Sequence, residues 1–243
     1  MIAPLLPAWP APTNVRAWST RRDGGVSQGN WHSLNVGGHV GDDPAAVAEN
    51  RQRLVDALAL PGPPVWLEQV HGTDVLTLTH QPPAQRRADA VYTATPGVVC
   101  AVMTADCLPV LFCSADGREV AAAHAGWRGL QAGILEATLR RFRAPAGEIH
   151  AWLGPAIGPL AFEVGAEVRA AFCAGDPYAA EAFRPRGEKF LADIFQLARR
   201  RLSAAGVASV SGGDHCTLTE SAHFFSYRRD GVTGRMASLL WLS

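Results

Sequence analysis

Apolar residues in this chain come mostly in short runs broken by glycine, proline and aspartate, and the densest group lies between positions 98 and 129. There VVCAVMTADCLPVLFCSADGREVAAAHAGWRG divides into three apolar runs, each leading to a turn of small residues. Short apolar runs bounded by turn signals predict buried strands. Further strands are expected at residues 15–20, 65–70, 74–79, 88–93, 149–153, 207–210 and 237–242.

Helical spacing appears in four places. Asp42 or Asp43 can cap a helix with Pro44 in its first turn. That helix should run to about Leu60, burying Val47, Leu54 and Leu58, and stop at Pro61-Gly62. Leu130, Ile134, Leu135 and Leu139 predict one amphipathic helix over 128–142, with Arg140, Arg141 and Arg143 around its last turn. Helices are also expected over 164–173 and over 190–205, the latter with Phe190, Ile194, Leu197, Ala198 and Leu202 on its core face. Residues 20–35 read as a loop, and 177–187 as a loop or weak helix. Strands interspersed with helices, without repeats or a flexible linker, predict one α/β domain with a mixed sheet over residues 1–243.

Composition narrows the function. Hydrophobic residues make up 48% of the 243, enough for a sizeable core. Lys plus Arg equals Asp plus Glu at 22 each, so no global basic surplus exists to hold nucleic acid or an anionic membrane. No run approaches the roughly 18 apolar residues of a membrane span. The opening MIAPLLPAWPAPTN has no basic n-region and carries four prolines, and it reads as a mature cytoplasmic start. The five cysteines, Cys100, Cys107, Cys113, Cys173 and Cys216, are odd in number and form no Cys-x-x-Cys pair. A disulfide framework and a zinc ribbon are therefore disfavoured.

Three side chains stand out by context. His71 precedes Gly72 at the end of an apolar run, Cys107 follows Ala105-Asp106, and His124 precedes Gly126-Trp127-Arg128-Gly129. Two imidazoles and a thiolate match the three protein ligands of a catalytic zinc site. They are separated by 36 and 17 positions, unlike the short gaps of zinc fingers. A metal-free pair, with Cys107 as nucleophile and His124 as base, fits the same residues. Pattern alone leaves both chemistries open.

SLNVGGHVGDDP with Glu49-Asn50-Arg51, WLEQVHG, RADA, CAVMTADCLPVLF, HAGWRG, LGPAIGP with FEVG, and FFSYRRD with GRMAS span nearly the whole chain. In these segments and their order the sequence resembles the YfiH family, also called the laccase-domain or multicopper polyphenol oxidase family. The resemblance implies a four-layer α/β/β/α sandwich with mixed sheets, a fold also resembled by the catalytic domain of cytotoxic necrotizing factor toxins. It implies zinc, with copper as the alternative ion, held by His71, Cys107 and His124. The implied activity is phosphorolysis of adenosine, inosine and S-methyl-5′-thioadenosine to free base and (methylthio)ribose 1-phosphate, accompanied by adenosine deamination. A conventional laccase needs about ten histidines for its four coppers, beyond the ligand preferences of copper in general. This chain has eight and no His-x-His pair.

On that reading the partners are a nucleoside and inorganic phosphate, with oligomeric state open between a monomer and a weak dimer. Asp106 and Glu68 are the expected proton carriers by chain proximity. Arg51 and Arg128 are expected to clamp phosphate, since a guanidinium matches its oxygens bidentately. Asn35 is expected on the nucleoside, and Phe224, Phe225 or Tyr227 stacked on the base. Three other functions compete. They are a Cys/His or metal-dependent amide hydrolase editing peptidoglycan precursors, a copper-dependent polyphenol oxidase, and a nucleoside-binding protein with a structural zinc.

Overall fold

Successive side chains of a strand point to opposite faces, so two sheets that bury both faces need apolar residues at every position and a cover on each outer side. The computed structural model, which describes residues 2–243, meets this demand. Its elements are β1 (Val15–Ser19), α1 (Pro44–Ala57), β2 (Val75–Thr77), β3 (Ala90–Thr93), β4 (Cys100–Thr104), β5 (Leu108–Ser114), β6 (Val120–Ala125), α2 (Trp127–Ala132) and α3 (Ile134–Leu139). They continue as β7 (Ile149–Leu153), β8 (Glu163–Val164), α4 (Ala166–Cys173), β9 (Phe183–Arg186), β10 (Lys189–Ala192), α5 (Ile194–Ala204), β11 (Ser209–Gly212), α6 (Tyr227–Asp230) and β12 (Met236–Leu242). A six-stranded mixed sheet has the order β11-β7-β5-β6-β3-β2, and an antiparallel three-stranded sheet the order β1-β12-β4. A small third sheet pairs β8, β10 and β9.

The residues of each strand divide between separate cores. Cys100, Val102, Leu240 and Leu242 of the smaller sheet pack against Leu111, Cys113, Val120 and Ala122 of the larger one. Their neighbours Ala101, Met103, Leu239 and Trp241 turn outward to meet Leu54 and Leu58 of α1 and its C-terminal end. On the far side Val110, Phe112, Ala121 and Ala123 pack under Leu130, Ile134, Leu135, Leu197 and Leu202 of α2, α3 and α5. The layers are therefore α1, the three-stranded sheet, the six-stranded sheet, and a second layer of helices. The α/β/β/α expectation is met.

α1 starts as its sequence predicts, with the Asp43 carboxylate accepting from Ala45 N–H at 2.9 Å and Pro44 in the first turn. It stops at Ala57, short of Leu60. Buried Asn50 on its inner face accepts from Val26 N–H and donates to Ser27 Oγ and the carbonyls of Ser33 and Asn35. This ties down the 20–35 loop.

Three local expectations change. Residues 65–70 form no strand, only a single bridge between Glu68 and Arg87. Gln69 instead presents its side-chain amide to the free edge of β4, donating to Met103 C=O and accepting from Met103 N–H, both at 2.8 Å. A side chain thus replaces a ladder, which the apolar pattern could not reveal. The helix expected over 128–142 breaks into α2 and α3 at Gly133, whose φ of +104° suits a left-handed cap. Arg140 caps α3, while Arg141 and Arg143 lie beyond it, with Arg141 bonded to Val75 C=O and Arg143 near Glu119. The helix expected from Phe190 begins only at Ile194, because Asp193 caps it by accepting from Gln196 N–H. Phe190 itself sits in β10 opposite Val164.

Gly133 provides a test of this breakpoint. An added Cβ would meet nothing closer than 3.5 Å, so Gly133→Ala carries the left-handed backbone penalty alone. The expected loss is about 1–2 kcal/mol in urea unfolding. An unchanged midpoint would contradict the helix break.

Candidate metal centre

The site forms where the chain crosses between sheets. β4 belongs to the three-stranded sheet and β5 to the six-stranded one, and only Ala105, Asp106 and Cys107 join them. His124 stands one residue from the end of β6, opposite Pro109 of β5. His71 comes from the turn after the Gln69 anchor. Residues remote in sequence thus bring Cys107 Sγ and one nitrogen from each histidine within 4.8 Å of one another. The imidazole rings meet edge to face, with centroids 4.8 Å apart.

One carboxylate organises both histidines. Asp89 is fully buried just before β3. It accepts from the backbone N–H groups of Val70 (3.1 Å), His71 (2.9 Å) and Gly72 (2.7 Å), and its Oδ1 lies 2.8 Å from His124 Nδ1. The His124 N–H also donates to the Asp89 carbonyl. Burial alone would push the Asp89 carboxyl up, but His124 and the backbone donors outweigh it and hold it below the usual range. An ionised carboxylate only accepts, so Nδ1 of His124 keeps a proton facing Asp89, and it is Nε2 that must give up its proton when a metal binds. The same carboxylate secures the turn at His71, whose φ of +60° lies in the left-handed region that non-glycine residues rarely enter. Asp89 was not among the residues singled out from sequence. Its signal lay in the short RADA segment.

Cys107 Sγ lies 3.7 Å from His71 Nε2. That is within reach of a hydrogen bond to sulfur and also close to the roughly 3.6 Å that tetrahedral zinc, with bonds of about 2.3 Å to sulfur and 2.0–2.1 Å to nitrogen, sets between such ligands. Burial would raise the Cys107 thiol, yet the charge and hydrogen bonds of His124 and His71 overcome it and bring it down to about 6. His124 responds in the opposite sense. Burial works against its charge, but Cys107 and Asp89 raise it to about 9. A thiolate and a carboxylate-oriented imidazole are the forms that bind zinc. Gly126 leaves them room, since a Cβ there would stand 2.6 Å from His71 Cδ2 and 3.0 Å from Cys107 Sγ. Among the described residues no other set of three such ligand side chains converges.

Beside Cys107 opens a cavity of about 250 Å³ whose walls include Trp127, Arg128, Ile157, Phe162 and Tyr227. Two larger clefts elsewhere contain none of the three ligands. The other residues named from sequence take different positions. Arg128 lines the cavity with its guanidinium over the Trp127 ring, and Asp106 lines it as well. Arg51 donates twice to Val36 C=O and stacks over Trp66. Asn35 is buried, accepting from Gly37 and Arg235 N–H and donating to Gly37 C=O and Asp42. Glu68 is exposed. Phe224 and Phe225 are fully buried, so core packing replaces base stacking for both, whereas Tyr227 is 60% exposed. Arg235 joins the group unforeseen. Burial lowers its pKa, while the charges of Cys107 and Asp106 oppose that. His39 is also lowered, by burial and then by Arg235 and Arg51. Arg235 therefore sets its positive charge near Cys107, and His39 lies within the field of Arg235 and Arg51.

Known proteins resemble this chain over almost its whole length. A family profile described as multi-copper polyphenol oxidoreductase laccase matches residues 16–243. A protein of Escherichia coli (strain K12) named purine nucleoside phosphorylase YfiH is 62% identical over 238 residues, covering 98% of both chains. A purine nucleoside phosphorylase of Pseudomonas aeruginosa is 56% identical over 244 residues, covering 100% of this chain and 99% of its own. The crystal structure of Neisseria meningitidis protein NMB0706 superposes with a TM-score of 0.93 at 52% identity, covering 99% of each chain.

Two measurements probe the centre. Gly126→Ala should lower metal affinity at least about tenfold, the scale seen when ligand orientation is disturbed. Retained affinity would show that the ligands do not need the space. In chelated protein the Cys107 thiolate should persist to unusually low pH. Its alkylation rate should therefore fall only as pH drops through about 6, against about 8.5 for a free thiol. An ordinary thiol midpoint would contradict the site's electrostatics.

Proposed function

The chain belongs to the multi-copper polyphenol oxidoreductase laccase family, which includes the YfiH proteins, and from that membership and the geometry of its site we propose that it is a zinc-dependent purine nucleoside phosphorylase. Its proposed substrates are adenosine, inosine and S-methyl-5′-thioadenosine, and the same centre deaminates adenosine. The observation that carries the reading is the His71, Cys107 and His124 set beside a cavity with an aromatic wall and an uncommitted arginine. Supporting it are the names of relatives that cover almost the whole chain.

His71, Cys107 and His124 would hold the zinc, and their chemistry fits it: a lowered thiol, an imidazole fixed by Asp89, and a separation suited to tetrahedral coordination. When bound, the ion supplies Lewis acidity to an oxygen of phosphate or substrate. In phosphorolysis an oxygen of phosphate forms a bond to C1′ of the sugar. The bond from C1′ to the purine nitrogen breaks, and its electron pair leaves with the base, which takes up a proton. The chain's part is to bring two reactants together and to offset anionic charge. Arg128 is the clamp for phosphate, because its guanidinium lines the cavity. Arg235 adds positive charge next to the thiolate. Trp127, Phe162 and Tyr227 give the purine a flat apolar wall. Asn35 acts one step back, by accepting from the Arg235 N–H.

A second reading has its own observation. Cys107, His124 and Asp89 also have the order of nucleophile, base and orienting carboxylate, which suits metal-free amide hydrolysis such as peptidoglycan-precursor editing. Both readings take the enzyme to act in the cytoplasm. Among the described residues no helix is long and apolar enough to cross a membrane.

Purified protein incubated with adenosine should release ribose 1-phosphate only when phosphate is present, and chelation should abolish this until zinc is restored. Arg128→Ala should lose about 10–100-fold in kcat/KM, mainly through KM for phosphate, the scale of a charge-assisted hydrogen bond. Amidase activity that survives chelation and is blocked by a thiol alkylator would replace this reading with the second.

A further inference from the structure

We propose that Asp106 is a positioning residue of the metal centre, acting with Thr217 to hold the inter-sheet corner that presents Cys107. The inference rests on the metal-site reading. It gives Asp106 a role different from the proton carrier suggested by its place beside the cysteine.

The corner has to turn in three residues, from the end of β4 in one sheet to the start of β5 in the other. Asp106 makes the turn with a φ of +88°. Only three non-glycine residues among those described have positive φ, namely Ala59, His71 and Asp106. Two of the three are a metal ligand and the neighbour of one. Unfavourable backbone of this kind persists only where surrounding contacts over-determine it. At His71 the over-determination comes from Asp89. At Asp106 it comes from the residue's own side chain. Oδ1 accepts from Thr217 Oγ1 at 2.6 Å, and Oδ2 accepts from Arg228 N–H at 2.6 Å. The Asp106 carbonyl accepts from Ile157 N–H at 2.9 Å.

Three separate segments thus converge on one corner: the turn after β7, the stretch containing Thr217, and α6. The Thr217 hydroxyl is fully buried, and the Thr217 N–H bonds to Ala156 C=O next to Ile157. With each oxygen of Asp106 already accepting a short bond, the carboxylate is committed to holding the corner. The clamp also ties the thiol to the cavity wall. Tyr227 and Arg228 line the cavity beside Cys107, and Arg228 stacks over Phe162 while donating to Glu163 C=O.

The test uses purified full-length protein, with zinc affinity measured by competition against a chromophoric chelator. Asp106→Asn puts an amide where two donors converge, and Thr217→Val removes one donor with little change in shape. Both should weaken zinc about 10–100-fold, as loss of orienting partners does. Thr217→Ser, which keeps the hydroxyl, should bind within about threefold of the parent, well short of the loss on removing an orienting partner. At saturating zinc, kcat of Thr217→Val should also stay within about threefold, whereas losing a proton carrier costs about a hundredfold or more. If Asp106→Asn does not fold, the Thr217 pair decides. Unchanged zinc affinity in Thr217→Val, or a collapse of kcat at full zinc occupancy in Asp106→Asn, overturns the proposal. Absence of zinc binding by the parent protein would instead defeat the metal reading itself, and this inference with it.

Discussion

The site depends on one buried carboxylate. Asp89 accepts from three successive backbone N–H groups and from the ring of His124. Its four donors come from two elements that share no sheet contact, the 70–72 turn and β6. Without it the left-handed turn at His71 would have no compensation, and the His124 ring would lack a fixed tautomer. A buried carboxylate left without partners would be costly. Here the partners hold it ionised, and the ionised carboxylate in turn supports the charge on His124. The pull of His124 and His71 then lowers the thiol of Cys107. Fold, tautomer and thiolate are links in one electrostatic chain.

The architecture explains where that chain is anchored. A two-sheet sandwich with helices on both outer faces must pass its backbone from one sheet to the other, and the β4–β5 corner is such a passage. The corner is short, strained and held from three sides, which makes Cys107 a precisely placed ligand on a rigid base rather than on a mobile loop. Small residues serve the same end. Ala121, Ala122, Ala123 and Ala125 line β6, and Gly126 follows where any side chain would strike His71 and Cys107.

Much of this was legible in the sequence. The strands at 98–129 and the start of α1 follow from period and capping, and the grouping of His71, Cys107 and His124 from context joined to the family resemblance. What stayed hidden depended on side chains doing the work of backbone. Gln69 pairs with the edge of β4 as a strand would, so its segment read as a strand. Asp193 stops a helix that apolar spacing carried through. Asp89 and Arg235 act through partners distant in the chain, so the RADA and GRMAS segments that hold them marked the family without showing what either residue does. Phe224 and Phe225 show the converse error. Aromatic residues near a site motif suggested stacking, but both are core.

The central claim is that His71, Cys107 and His124 hold one zinc ion. X-ray absorption at the zinc edge on the purified protein tests it most directly. The account predicts about one zinc per chain with a single sulfur scatterer near 2.3 Å and nitrogen or oxygen scatterers near 2.0–2.1 Å. A shell without sulfur, or several coppers per chain in place of zinc, would contradict it.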